Sequence, residues 1–395
     1  MSTPPTWRTN FSFTDRLSSV IELISVYRSS FPNRGVEECQ QDAKALEEDA
    51  YVHAQSLEEY HAYCKKILQE VQSKASDAGS DHSITNDGLY GDETGPGKTI
   101  GDYQNATFRY DGLFSTIYKA LSNAGAVVAL KVCAPASMTP PHDSRREARI
   151  LREVSHPSII NLLDSFTHIG GYYVLVFPYV PYDLDHLLSQ RLLSLSQVKS
   201  HLRGLFRALE HIHSLGIIHR DIKPSNILLG APDGPVFLAD FGIAWSPRDT
   251  ASEPISQKIT DVGTTSYRAP ELLFGSTNYS QTLDLWAAGC VAAEACRLDS
   301  IPLFDAGDLG SELALIKSIF ENLGTPSLDT WPEATTFPDW GKMEFHVFPP
   351  KPWNSILPNV TEGARDLVSE LVQYESAQRL SAHDALKHPF LANDI

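Results

Sequence analysis

Three short runs, fixed in order and spacing, constrain this 395-residue chain more than any other feature. They are His219-Arg220-Asp221-Ile222-Lys223-Pro224-Ser225-Asn226, then Asp240-Phe241-Gly242, then Ala269-Pro270-Glu271. Any one tripeptide arises by chance. Three in register, with a lysine upstream at the end of Val128-Ala129-Leu130-Lys131, do not. Ahead of the first run, Val198, Leu202, Leu205, Leu209 and Ile212 recur at helical steps and stop at Gly216. That stripe is a core face, so the first run is a loop mounted on a buried helix.

The set resembles the catalytic loop, metal loop and substrate loop of the protein kinase family. The resemblance implies an α+β, bilobal kinase fold over residues 102–392, with a small β-rich lobe and a large helical lobe. Phosphoryl transfer asks for positioning and charge neutralisation more than for covalent chemistry. By resemblance, Lys131 holds the α- and β-phosphates of ATP, and Glu147, in Arg146-Glu147-Ala148-Arg149-Ile150-Leu151, orients that lysine. Glu153 on the same helix competes for this role, but Ile150 and Leu151 are the apolar neighbours expected of the ion-pair glutamate. Asp221 accepts or orients the substrate hydroxyl, Lys223 neutralises the transferring phosphoryl, and Thr264 hydrogen-bonds near both. Asn226 and Asp240 offer the oxygen ligands that Mg²⁺ takes. Lysine at 223 is the pattern of serine/threonine kinases. Gly112, Ile117, Ala129, Phe177 (the gatekeeper), Val180 and Asp183 border the nucleotide. Glu271 pairs with Arg379, and Asp284 props the catalytic loop from a buried helix.

The glycine-rich loop departs from the family pattern. Only Gly112 survives in Tyr110-Asp111-Gly112-Leu113-Phe114-Ser115-Thr116-Ile117. Glycines let backbone approach phosphate closely, so Tyr110 and Ser115 leave three readings: a weaker nucleotide grip, an altered loop, or a pseudokinase. Leu323-Gly324-Thr325-Pro326 and Trp331-Pro332 mark the insert of the cyclin-dependent and mitogen-activated kinase group. Thr139-Pro140-Pro141-His142 is unlike a cyclin-binding helix. The substrate loop, Thr260-Asp261-Val262-Gly263-Thr264-Thr265-Ser266-Tyr267, is similar to that of single-subunit kinases that activate cyclin-dependent kinases. Asp261 brings an acid where the group often carries a phosphothreonine, and Arg220 is placed to pair with a negative charge there. The alternatives are a proline-directed cyclin-dependent-like kinase, or a weakly active pseudokinase scaffold whose N-terminal region binds transcriptional partners.

Ahead of this region, residues 11–73 read as three helical stretches. The clearest has Ser56 and Glu59 as a capping box, then Leu57, Tyr60, Cys64, Ile67, Leu68 and Val71 at three- and four-residue steps. The region resembles the KIX three-helix domains, through Leu46-Glu47-Glu48-Asp49-Ala50-Tyr51 and Ala54-Gln55-Ser56-Leu57-Glu58-Glu59-Tyr60. Such domains take amphipathic activation-domain helices in a groove. Residues 74–101, rich in Gly, Ser, Asp and Thr, read as a flexible linker. Within it Gly95-Pro96-Gly97-Lys98-Thr99 is not a phosphate-binding loop, because Asp92 stands where its first glycine belongs. The net charge of −17 argues against direct nucleic-acid binding and suits basic protein substrates. Five scattered cysteines without a CxxC pair, and no apolar run of membrane-spanning length, fit a soluble intracellular protein of nucleus or cytoplasm.

Overall fold

The computed structural model describes residues 49–76 and 97–392 apart from Leu113, Asp308 and Leu309, together with Ser19, Leu23, Ala43, Leu46 and Glu47. It divides into two compact units, Met1–Gly91 and Asp92–Ile395. In the first unit, α1 (Leu57–Ser76) buries Tyr60, Cys64 and Val71 from the expected stripe, with Ile67 partly covered. Leu57, the first residue of the helix, is exposed instead. The Ser56 hydroxyl accepts the Glu59 N–H at 3.1 Å, but the Glu59 carboxylate reaches back one residue further than in a capping box, to the N–H of Gln55 at 2.7 Å. The helices expected over residues 11–48 lie almost wholly outside the described residues. So does the linker between residues 77 and 96. Both ends of that linker carry regular structure: α1 runs to Ser76, and a strand starts at Lys98 because Ile100 buries its side chain opposite Tyr103.

The second unit opens with a six-stranded antiparallel sheet in the order β1-β2-β3-β4-β6-β5. Its strands are β1 (Lys98–Ile100), β2 (Tyr103–Asp111), β3 (Ser115–Leu121), β4 (Val127–Cys133), β5 (Asp164–Thr167) and β6 (Tyr173–Pro178). Register fixes its two faces, since directly paired residues point the same way. Tyr118, Leu130 and Val176 are paired across β3, β4 and β6, and join Val128, Ala120 and Val174 in one small apolar core. Ile117, Lys131 and Leu175 are paired on the opposite face, together with Ala129 and Phe177. Against that face packs α2 (Ser144–Glu153), which buries Ala148, Ile150 and Leu151. Asp143 starts the helix by accepting the N–H groups of Arg145 and Arg146 at 2.9 and 3.0 Å.

The large lobe is built on α4 (Leu195–Ser214), which follows the short α3 (Leu184–Ser189) and is capped by the Ser194–Gln197 box. A small sheet of β7 (Tyr182–Asp183), β8 (Ile227–Leu229) and β9 (Val236–Leu238) lies beside it. After α5 (Pro270–Leu273), α6 (Thr282–Cys296) buries thirteen of its fifteen residues and reads as a helix apolar all round, the mark of a core position. It crosses α9 (Glu362–Leu371) so closely that a methyl on Gly289 would lie 2.7 Å from Val372. Between them in the chain come α7 (Glu312–Leu323) and the short α8 (Trp353–Ile356). No helix among the described residues is long and apolar enough to cross a membrane.

Candidate active site

Lys131 projects from β4 toward α2, where its Nζ donates to Glu147 Oε1 and Oε2 at 2.9 and 2.7 Å. The same nitrogen donates to Asp240 Oδ1 at 2.7 Å. Burial pulls the lysine's pKa down, but the two carboxylates outweigh it and hold the ammonium well above its usual range. Desolvation by the surrounding protein acts on Asp240 in the opposite sense, although its side chain is half-exposed, and the lysine outweighs that too, keeping the carboxyl well below the usual carboxylate range. Glu147 is fully buried, whereas Glu153, the competing candidate, is exposed.

Asp221 lies on the loop after α4. Its two carboxylate oxygens take four donors. Thr264 N and Oγ1 lie 2.9 and 2.8 Å from Oδ1, and Asn226 Nδ2 and Lys223 Nζ lie 3.0 and 2.9 Å from Oδ2. Lys223 Nζ also donates to Thr264 Oγ1 at 2.9 Å, so that hydroxyl accepts from the lysine and donates to the aspartate. Asp284, fully buried on α6, sets the loop by accepting the N–H groups of His219 and Arg220, each at 2.9 Å. His219 Nε2 lies 3.0 Å from the Ala239 carbonyl, and Asp221 N donates to its Nδ1 at 3.3 Å. One donor and one acceptor describe a neutral imidazole, and burial lowers the pKa of this ring accordingly. Arg379 makes a buried two-pronged bond to Glu271 at 2.6 and 2.7 Å.

The oxygens left over are hard donors. Asn226 spends its amide nitrogen on Asp221, which turns its Oδ1 the other way. Asp240 spends Oδ1 on Lys131 and on Gly242 N, leaving Oδ2 of a half-exposed side chain. That pair fits Mg²⁺, which prefers carboxylate and carbonyl oxygen.

The nucleotide-bordering set is spread over several elements. Ile117, Ala129 and Phe177 share the face of the sheet that carries Lys131. Val180 packs on the large-lobe core just beyond β6. Asp183 is committed as the N-cap of α3, accepting His186 N at 2.8 Å. Gly112 is in the β2–β3 turn, where its N–H donates to the Ser115 carbonyl at 2.8 Å. That turn closes without the missing glycines: Tyr110 points to solvent, and the Phe114 ring stacks on His142 with centroids 3.3 Å apart. Burial pushes the pKa of His142 down to about 4.

Two expectations shift. Asp261 does not meet Arg220; its carboxylate takes Arg268 at 2.7 Å. Arg220 instead binds Glu253 through both terminal nitrogens, at 3.2 and 3.1 Å. Glu253 and its neighbour Asp249 carry no motif, so sequence spacing offers no signal for either.

Residues 111–391 match the protein kinase domain family. The chain is 38% identical over 271 residues to the serine/threonine-protein kinase csk1 of Schizosaccharomyces pombe, covering 67% of this chain and 87% of that protein. It is 37% identical over 290 residues to cyclin-dependent kinase 20 of Danio rerio, covering 72% and 81%. To cyclin-dependent kinase D-1 of Arabidopsis thaliana it is 38% identical over 250 residues, covering 63% and 60%. With the Lys131–Glu147–Asp240 cluster near enough to the Asp221 loop for Asp240 to act on the Lys223 charge, the chain belongs to the protein kinase family, among its cyclin-dependent-kinase-like serine/threonine members.

Proposed function

We propose that this chain moves the γ-phosphoryl of ATP to serine or threonine hydroxyls of protein substrates, and that cyclin-dependent kinases are among those substrates. The observation that carries the reading is the convergence of Thr264, Lys223 and Asn226 on the Asp221 carboxylate. Asp221 orients the incoming hydroxyl and draws its proton. Lys223 offsets charge on the transferring group, and Lys131, steadied by Glu147, holds the α- and β-phosphates. Mg²⁺, when held by Asn226 and Asp240, neutralises phosphate charge. The intact cluster of ionisable residues favours an active enzyme over a scaffold, because phosphate and metal contacts rest on those side chains, which survive the loss of the β2–β3 glycines.

Support for the substrate class is the substrate loop, Thr260 to Tyr267, and its likeness to that of single-subunit kinases that activate cyclin-dependent kinases. The decisive assay compares the chain with its Asp221→Asn variant on a monomeric cyclin-dependent kinase and on a generic basic protein, with Mg²⁺-ATP. Transfer to the activation-loop threonine of the first, lost in the variant, is the expected result. Transfer to the basic protein alone removes the proposed substrate class, and transfer to neither removes the kinase reading.

One observation favours proline after the acceptor residue. The Gly263 carbonyl, next to Thr264, already accepts from Arg268 Nε at 2.9 Å. A substrate N–H arriving there finds its acceptor taken, and proline has no N–H to leave unpaired. Peptides carrying Ser-Pro against Ser-Ala measure this preference directly. The N-terminal unit, by its likeness to KIX domains, is proposed to recruit partners rather than to take part in transfer.

A further inference from the structure

The segment between Asp240 and Thr264 carries two acids that reach the rest of the site. Asp249 binds Arg149 of α2 as a two-pronged pair, with Nε–Oδ2 at 2.6 Å and Nη2–Oδ1 at 3.1 Å. Four residues on, Glu253 binds in the same two-pronged way to Arg220, the residue directly before the catalytic Asp221. Arg146, one residue before Glu147, is buried beside this cluster and donates to the Ala251 carbonyl at 3.4 Å.

Both acids are fixed locally. Ala251 N donates to Asp249 Oδ1 at 2.8 Å, Ser246 N to Ser252 Oγ at 3.1 Å, and Trp245 Nε1 to the Glu253 carbonyl at 2.9 Å. Opposing charges are concentrated here. Arg220 and Arg146 are each only 2% exposed, and the Nε of each is buried with no bond among the described residues. Two buried guanidinium groups without an anion would repel each other and lose their solvation. Glu253 is bonded to Arg220 and lies within electrostatic reach of Arg146, and burial, which raises its pKa, is outweighed by Arg220, which lowers it.

We propose that Glu253 and Asp249 act as positioning residues, a built-in anionic latch that holds α2 and the catalytic loop in register so that Lys131 meets Glu147 without a phosphate on the segment and without a partner subunit pressing on α2. The inference rests on the kinase reading and adds its regulation. Arg220 would otherwise accept a phosphorylated hydroxyl. Here its fork is filled by a carboxylate from 33 residues further along the chain.

The test uses the full chain, treated with phosphatase and shown by mass to carry no phosphate. Transfer by this form, at the rate of the untreated chain and with no added cyclin, is expected. Glu253→Gln, equal in shape but neutral, is expected to lower kcat about 10- to 100-fold, the effect of leaving a buried cation uncompensated. Arg149→Asp and Asp249→Arg are each expected to lower kcat, and the two together to restore much of it. A chain that transfers only after segment phosphorylation or only with a cyclin overturns the latch and leaves the kinase reading standing, as does Glu253→Gln with unchanged kcat. Hydrogen exchange at the α2 amides separates the two readings even if no transfer is seen. Faster exchange in Glu253→Gln supports the latch, and equal exchange overturns it.

Discussion

Replacing Thr264 by valine removes one hydroxyl and keeps the volume of the side chain. That hydroxyl donates to Asp221 Oδ1 at 2.8 Å and accepts from Lys223 Nζ at 2.9 Å, so it ties the substrate loop to the two residues assigned to the reacting groups. The backbone N–H of Thr264 still donates to Asp221 in the variant, so the loop is loosened rather than released. A hydrogen bond to a charged group contributes about 1.5–3 kcal/mol. If the full amount is felt in the transition state, kcat falls by about 10- to 150-fold at 1.36 kcal/mol per decade. Thr264 touches neither Lys131 nor Asp240, so the KM for ATP is expected to stay within about twofold. Steady-state kinetics over both substrates reads the split, and Thr264→Ser, which keeps the hydroxyl, should retain most of kcat. An unchanged kcat in Thr264→Val, or a KM for ATP that rises as steeply as kcat falls, refutes the assignment.

Two further outcomes follow from buried carboxylates in the large lobe. Arg379→Leu strands Glu271, which is 2% exposed, and is expected to cost about 3–5 kcal/mol of stability in a denaturant titration. Adding Glu271→Gln to it should recover part of that loss, and a single variant as stable as the parent contradicts the role given to the pair. Glu294 on α6 is raised to about 7 by burial, against the Tyr267 hydroxyl that donates to it at 2.6 Å. A raised carboxyl binds its proton more tightly in the folded state, so its share of stability is present below about pH 4.5 and is lost as pH rises through about 7. The melting temperature of Glu294→Gln, measured relative to the parent from pH 4 to 8, should therefore gain as pH rises, and a constant difference rules this out.

The legible part of the fold was the part whose chemistry lies in contiguous runs. Asp221, Lys223 and Asn226 share one loop, and a helical stripe ending at Gly216 fixes where that loop starts. Glu147 could be picked over Glu153 because its neighbours Ile150 and Leu151 had to be buried, and both are, at 1% and 3% exposure. Asp183 shows the limit of that logic: by resemblance it borders the nucleotide, and its carboxylate also caps α3, a role that its distance from the hinge does not reveal. The Asp249–Arg149 bond spans 100 residues and the Glu253–Arg220 bond 33, and neither side of either pair lies in a repeating pattern. In the sequence, Asp261 offers an acid where the group often carries a phosphothreonine, and Arg220 is placed to pair with a charge there. But Arg268 lies seven residues from Asp261 and takes its carboxylate first. Local pairing wins because a short loop closes at little entropic expense, which leaves the buried arginine to an acid that only the folded segment brings to it.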